Sequence, residues 1–336
     1  MSWNLLGHET AIQFLQIHSQ PENVRHAYLI TGAEGVGRET LALAFVKALN
    51  CLNPPSKGGF CGSCQPCRQI EAQAFPDLAI LRVAEGAREL KIEQVRAMQQ
   101  TLSLSPYQSK YRVVLIPDFQ RATMGASNAL LKSLEEPPAR AILILTADAR
   151  ESLLETIASR CELVRLRPMP ISDLAKALIE NQGLSESESQ KLAQLAGGRV
   201  GTALRYLQDE ELLEKHTNAL DQLEELLRMN LRGRLKTVER LQRGKGQARE
   251  NYSFLIATWL TFWRDVLICI EASDVPLVNL ETEALARQTA AGLNLQKAAE
   301  ILKSHEDALA MLDQYVNPRL ILENLLLKMP RLEQLP

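Results

Sequence analysis

Charge of one sign is missing from this sequence. Thirty-eight Lys and Arg face 40 Asp and Glu, a formal net charge of −2, with no block of like charge. A chain that grips DNA by itself carries a basic excess or a basic patch, so the balance argues against autonomous tight DNA binding. Long hydrophobic runs are also missing: none approaches the length of a membrane span. The opening "MSWNLLGHET" has no basic region leading into an apolar stretch, as a signal peptide would. No membrane partner and a cytoplasmic location are the resulting expectations. Internal repeats and low-complexity segments are absent. What remains is an ordinary globular composition, 46% hydrophobic and 23% charged. At 336 residues the chain has length for two or three domains.

Cysteine is sparse except in one place. Of six, four fall in "CLNPPSKGGFCGSCQPC" as Cys51, Cys61, Cys64 and Cys67, spaced C-x9-C-x2-C-x2-C. In a cytosolic protein such clustering argues for metal rather than disulfides. The two-residue gaps let neighbouring thiolates turn toward one ion, and Gly62 and Pro66 suit tight knuckles. Four thiolates close a tetrahedral site, so Zn2+ here would be structural, one per chain. A 4Fe–4S cluster fits the same spacing, although nothing else in the sequence suggests electron transfer. Cys161 and Cys269 stand apart and read as buried small hydrophobes.

The first half alternates strand and helix patterns. "HAYLITG" (26–32), "DLAILRV" (77–83), "YRVVLIPD" (111–118) and "AILILTA" (141–147) are near-continuously apolar, as strands buried on both faces are. Between them "RETLALAFVKAL", "KIEQVRAMQQTL" and "ASNALLKSLEE" have helical spacing. This alternation predicts a parallel sheet covered by helices. After "RLRPMP" the β-branched strands disappear. "ISDLAKALIENQGL", "SESESQKLAQLAGG" and "RVGTALRYLQ" read as three short helices, and the rest is helical, broken at "QRGKGQ" and near "SDVP".

"GAEGVGRET" (32–40) sits where the first strand hands over to a helix, the usual place for a phosphate. The phosphate-loop pattern is G-x-x-x-x-G-K-[ST]. Gly32 and Gly37 match it, with Gly35 between them. Arg38 takes the lysine position and Glu39 the hydroxyl position, and Thr40 comes one residue late. Arginine keeps the charge but is a planar fork, and Glu39 sets a carboxylate near a polyanion. A catalytic P-loop protein of this layout ends another strand in Asp-Glu for Mg2+ and water. Here "VVLI" runs into Pro117 and Asp118. Hydrolysis of ATP is not expected. Farther on, "NALLKSLEEPP" reads as an amphipathic helix stopped by Pro137 and Pro138. "IASRCELVRL" puts Arg160 between a helix end and a strand, where taken alone it is a surface or ion-paired arginine.

In this order and combination these stretches resemble the AAA+ clamp-loader family over the whole chain. "GHETAIQFL" is similar to the opening helix, "HAYLITGAEGVGRET" to the P-loop box and the cysteine segment to the zinc module. "VVLIPDFQRATMGASNALLKSLEEPP" is similar to the Walker B strand and the segment after it, and "SRC" (159–161) to the arginine-finger box. The resemblance implies an α/β plus all-α protein. A RecA-like AAA+ parallel-sheet domain (1–168, zinc module 51–67) would precede a three-helix lid (169–208) and a helical collar used in oligomerisation (209–336). The departures carry meaning. Active subunits have G-K-[ST], Asp-Glu and a lid arginine where "GRVGTAL" places Gly201, and the strand-end sensor is unclear around Thr146 to Asp148. Every element supplied in cis is damaged, while Arg160, the trans-acting finger, is intact. The resemblance thus implies a non-hydrolysing subunit without autonomous activity, part of the DNA polymerase III holoenzyme, a DNA-directed DNA polymerase. Its implied partners are the ATPase subunits (gamma/tau) and the delta subunit in a pentameric ring, and through the complex the sliding clamp and primed DNA. The rival expectation is a catalytically active AAA+ ATPase that tolerates Arg38. A zinc-dependent DNA-binding protein would leave the helical half unused.

Overall fold

The computed structural model describes residues 3, 5–84, 86–241, 248–313 and 316–332. The chain divides into two compact units, Met1–Gln182 with Gly198–Thr202, and Gly183–Gly197 with Ala203–Pro336. In chain order the elements are α1 (Glu9–His18), β1 (Ala27–Thr31), α2 (Arg38–Asn50), α3 (Gln65–Glu71), β2 (Leu78–Ile80), α4 (Ile92–Leu102), β3 (Arg112–Ile116), α5 (Met124–Glu135), β4 (Ala141–Ala147), α6 (Glu155–Ala158) and β5 (Glu162–Arg165). Helices make up the remainder: α7 (Ile171–Gln182), α8 (Glu186–Leu195), α9 (Val200–Gln208), α10 (Glu210–Arg228), α11 (Leu231–Leu241), α12 (Ala248–Ile270), α13 (Glu283–Ala291), α14 (Leu295–Asp313) and α15 (Pro318–Lys328). The expected break at "QRGKGQ" (242–247) lies outside the described residues.

The first unit is built on a five-stranded sheet of order β2-β3-β4-β1-β5. Its strand pairs are all parallel, with Ile30 opposite Thr146 and Ile116 opposite Leu145. Alternate residues serve opposite cores. Tyr28, Ile30, Val113, Leu115, Ile142 and Ile144 pack with α1 and α2 on one face. Leu29, Val114, Ile116, Leu143 and Leu145 pack with α4, α5 and α6 on the other. Both faces are dry, which is why the strands lack polar alternation. The run at 77–83 shortens to a three-residue strand because β2 lies at the sheet edge. Its first residue, Asp77, is instead buried and accepts the N–H groups of Tyr107, Gln108 and Ser109 at 2.6–3.0 Å. Burial by itself would raise the Asp77 carboxyl; those bonds outweigh it and hold the group below its usual value.

The second unit is helical, with its core on α12: Trp259, Phe262, Trp263 and Val266 are fully buried. One expectation fails here. The stretch Arg249–Ile270 is long and apolar enough to cross a membrane by length and composition. The reason is packing: α10, α13, α14 and α15 all contribute buried residues to the core around α12, so both its flanks are apolar. Another correction concerns Cys161 and Cys269, which are half-buried. Cys161 precedes edge strand β5, yet enclosure of its thiol pushes it up to about 12.

Candidate functional site: a phosphate loop with its charges paired internally

β1 delivers the chain into the glycine loop at the carboxyl end of the sheet, and Gly32 N–H donates to the Ala147 carbonyl at 3.1 Å. Gly35 has φ 79°, and a Cβ there would lie 2.0 Å from Thr202 Oγ1. The loop tip is therefore packed against the start of α9, where Thr202 N–H donates to the Gly35 carbonyl at 3.3 Å. Gly201 is small for the same reason: a Cβ on it would meet that carbonyl at 2.8 Å.

Arg38 opens α2 and turns inward; its side chain is only 8% exposed. Nη1 donates to Asp148 Oδ1 at 2.6 Å and Nη2 to Asp118 Oδ1 at 2.8 Å. Both acids sit just past strand ends, Asp118 after β3 and Asp148 after β4. Asp118 adopts φ 51° and donates its N–H to Thr146 Oγ1 at 3.0 Å. Asp148 Oδ2 accepts from Gln120 Nε2 at 3.0 Å. Charge-assisted hydrogen bonds to a guanidinium fork are strong and directional, and a lysine could not reach two carboxylates in this way. Glu39 is also engaged: it accepts a paired contact from Arg82, with Nη1 to Oε2 at 2.8 Å. That carboxylate raises the Arg82 pKa. Thr40 is exposed. Sequence reasoning places Arg38, Glu39 and Asp118 at the site but gives none of them a partner. Asp148 and Arg82 complete the arrangement, 110 and 43 residues away from their partners.

The four cysteines converge at the far end of α2, about 20 Å along the helix at 1.5 Å per residue. Cys51 follows its last turn, Cys64 precedes α3 and Cys67 lies within α3. The four sulfurs lie within 4.8 Å of one another, and Cys51 and Cys64 Sγ are 3.9 Å apart. A tetrahedron of ~2.3 Å metal–sulfur bonds has an edge of about 3.8 Å, so the donor set fits one four-coordinate ion. Cys64 N–H donates to Cys61 Sγ at 3.2 Å, and this bond pulls the Cys61 thiol down to about 6. Burial pushes Cys67 and Cys51 up. The module is anchored by Gly58, whose carbonyl accepts from Trp3 Nε1 at 2.8 Å.

Arg160 lies apart from both groups, between α6 and β5. Nη2 donates to Glu135 Oε1 at 2.9 Å and Nη1 to the Thr156 carbonyl at 2.8 Å. The residue is exposed.

This sheet order, with a glycine loop at the end of β1 and acids at the ends of β3 and β4, defines a P-loop protein of the AAA+ class. Residues 7–170 match the family model described as DNA polymerase III, delta subunit. The DNA polymerase III subunit delta' of Bacillus subtilis is 28% identical over 73% of this chain and 68% of its own length. The corresponding subunit of Pseudomonas aeruginosa is 32% identical over 61% and 62%. The DNA polymerase III subunit tau/gamma of Haemophilus influenzae is 30% identical over 60% of this chain and 29% of its own. The chain thus spans less than two thirds of the length of the latter two. These matches make the chain similar to DNA polymerase III clamp-loader subunits, the delta' subunits among them.

Proposed function

We propose that the chain is a non-hydrolysing, stator-like clamp-loader subunit. It sits in a pentameric ring with gamma/tau ATPase subunits and a delta subunit, in the bacterial cytoplasm. The ring places the sliding clamp on primed DNA, and this chain supplies Arg160 to a neighbour's ATP site. Within this reading residues 1–168 form the AAA+ domain, 169–208 the lid and 209–336 the collar. The cysteine module (51–67) holds a structural Zn2+ through Cys51, Cys61, Cys64 and Cys67.

The observation that carries the reading is the pairing of Arg38 with Asp118 and Asp148. In an active P-loop enzyme the cation at this position faces phosphate and the strand-end acid faces Mg2+. Here each faces the other, and Glu39 faces Arg82. The loop cation and the strand-end acids are thus engaged with one another rather than with phosphate and metal. Arg160, by contrast, is on the surface, and an exposed ion pair of its kind contributes only about 0–1 kcal/mol. A neighbour's phosphate can displace Glu135 at small cost. Fingers of this type stabilise transition-state charge and contribute roughly 10³–10⁵ in rate in comparable NTPases.

The test is steady-state ATP hydrolysis by the purified chain. Turnover stays at background, and Arg38→Lys alone does not rescue it, because Glu39, Pro117 and Gly201 still occupy the other positions. Magnesium-dependent turnover by the wild-type chain would sink the reading in favour of an active ATPase subunit.

A further inference from the structure

The remnant loop raises a question separate from hydrolysis, namely whether it accepts a nucleotide at all. We infer that Arg38 is a specificity-determining residue that keeps magnesium–nucleotide out by occupying, from inside, the two carboxylates such a ligand would need. The inference rests on identifying 32–40 as a former nucleotide site, but it concerns binding and stands apart from turnover.

The geometry supports an internal occupant. Asp118 and Asp148 emerge from adjacent parallel strands, β3 and β4, whose register is fixed by Ile116 opposite Leu145. Each presents one oxygen, Oδ1, to a different nitrogen of the same guanidinium, at 2.8 and 2.6 Å. Thr146 fixes the Asp118 backbone through its N–H, and Gln120 holds the Asp148 carboxylate, both without Arg38's help. The burial is asymmetric: the acid side chains are 42% and 55% exposed, and the arginine between them 8%. The cation is thus the enclosed member of the three.

For a magnesium–nucleotide to enter, both contacts of Arg38 must break and its buried charge must find phosphate instead. Mg2+ is usually held by one or two carboxylates plus phosphate oxygens, so it competes with Arg38 for Asp118. Removing a partner from a buried charge is costly, which sets the loop toward self-pairing. A lysine at the same place lacks the two-nitrogen fork that gives each acid its own donor, and would hold the pair less firmly. Gly201 and Thr202 pack on Gly35 whatever residue stands at 38, so a comparison of Arg38 variants holds that contact constant.

The experiment is thermal unfolding of the full chain, wild type, Arg38→Lys and Arg38→Ala, each with 1 mM ADP in Mg2+ and in EDTA. The wild type shows no shift under either condition. At least one variant that folds gains an upward shift of about 2 °C or more with ADP and Mg2+, and a smaller one in EDTA because the released Asp118 works through the ion. A purely structural Arg38 would lower the midpoint without creating any ligand response, and that result overturns the inference. A wild-type shift with Mg–ADP overturns it as well, while leaving a non-hydrolysing subunit intact. If Arg38→Ala does not fold, Arg38→Lys decides alone. Turnover without any such binding change would count against the proposed function instead.

Discussion

At Arg38 and His305 a single side chain decides local behaviour, and in both cases burial is the reason. Arg38 is legible in the sequence as an anomaly because a fixed loop pattern exposes any departure from it. Its partners are not legible, since nothing in local sequence ties residue 38 to residue 148. His305 gives no signal at all. It is fully enclosed on α14 beside Trp263, with Nδ1 against the Ile301 carbonyl at 2.8 Å and Nε2 buried without a hydrogen-bond partner among the described residues. Burial pulls it down to about 4 from the usual 6.5. The unfolded chain therefore takes up this proton first, and stability rises with pH between the two values. The contribution is whole above about pH 6.5 and is lost as pH falls through 4. A shift of that size corresponds to something on the order of 3 kcal/mol. Urea unfolding of the helical unit should be flat from pH 7 to 8 and weaken steeply between pH 6 and 4. His305→Gln should flatten the acid limb, whereas an unchanged slope would place the acid sensitivity elsewhere.

Among the elements, strands are legible where both faces are buried, as at β1, β3 and β4, because apolar continuity reports burial directly. The edge strand β2 is shorter than its apolar run, since an edge needs less apolar sequence than the pattern around it suggests. Helix α12 misleads for a related reason: a core helix flanked by helices becomes as apolar as a spanning one. The cysteine module lies at the other extreme: the spacing alone singles out the four cysteines whose sulfurs come together as candidate ligands. It ties α2 and α3 together and, through Gly58, holds Trp3, while the other two tryptophans, Trp259 and Trp263, lie in the helical unit. Native mass spectrometry should find one zinc per chain, and iron or no metal would refute the assignment. Cys64→Ser should lower the melting temperature of the sheet unit by several degrees and red-shift Trp3 emission. Far-UV signal and burial of Trp259 and Trp263 should persist, because that core shares no residue with the module.

For the whole molecule, the sequence resemblance locates Arg160 but not its resting contacts, because Glu135 lies 25 residues away on α5. Two explanations of this residue make different demands. A structural arginine contributes to the stability of the chain that carries it. A finger contributes to a reaction in the neighbouring subunit, where its fork meets developing phosphoryl charge. The decisive measurement is Arg160→Ala, assayed for the melting temperature of the isolated chain and for ATP hydrolysis by the reconstituted clamp-loader ring. Loss of an exposed pair moves the melting temperature by no more than about 2–4 °C. Ring hydrolysis falls at least about tenfold, with smaller change in ATP binding, and Arg160→Lys restores little because an ammonium lacks the bidentate geometry. Unchanged hydrolysis in fully assembled rings carrying Arg160→Ala would contradict the account.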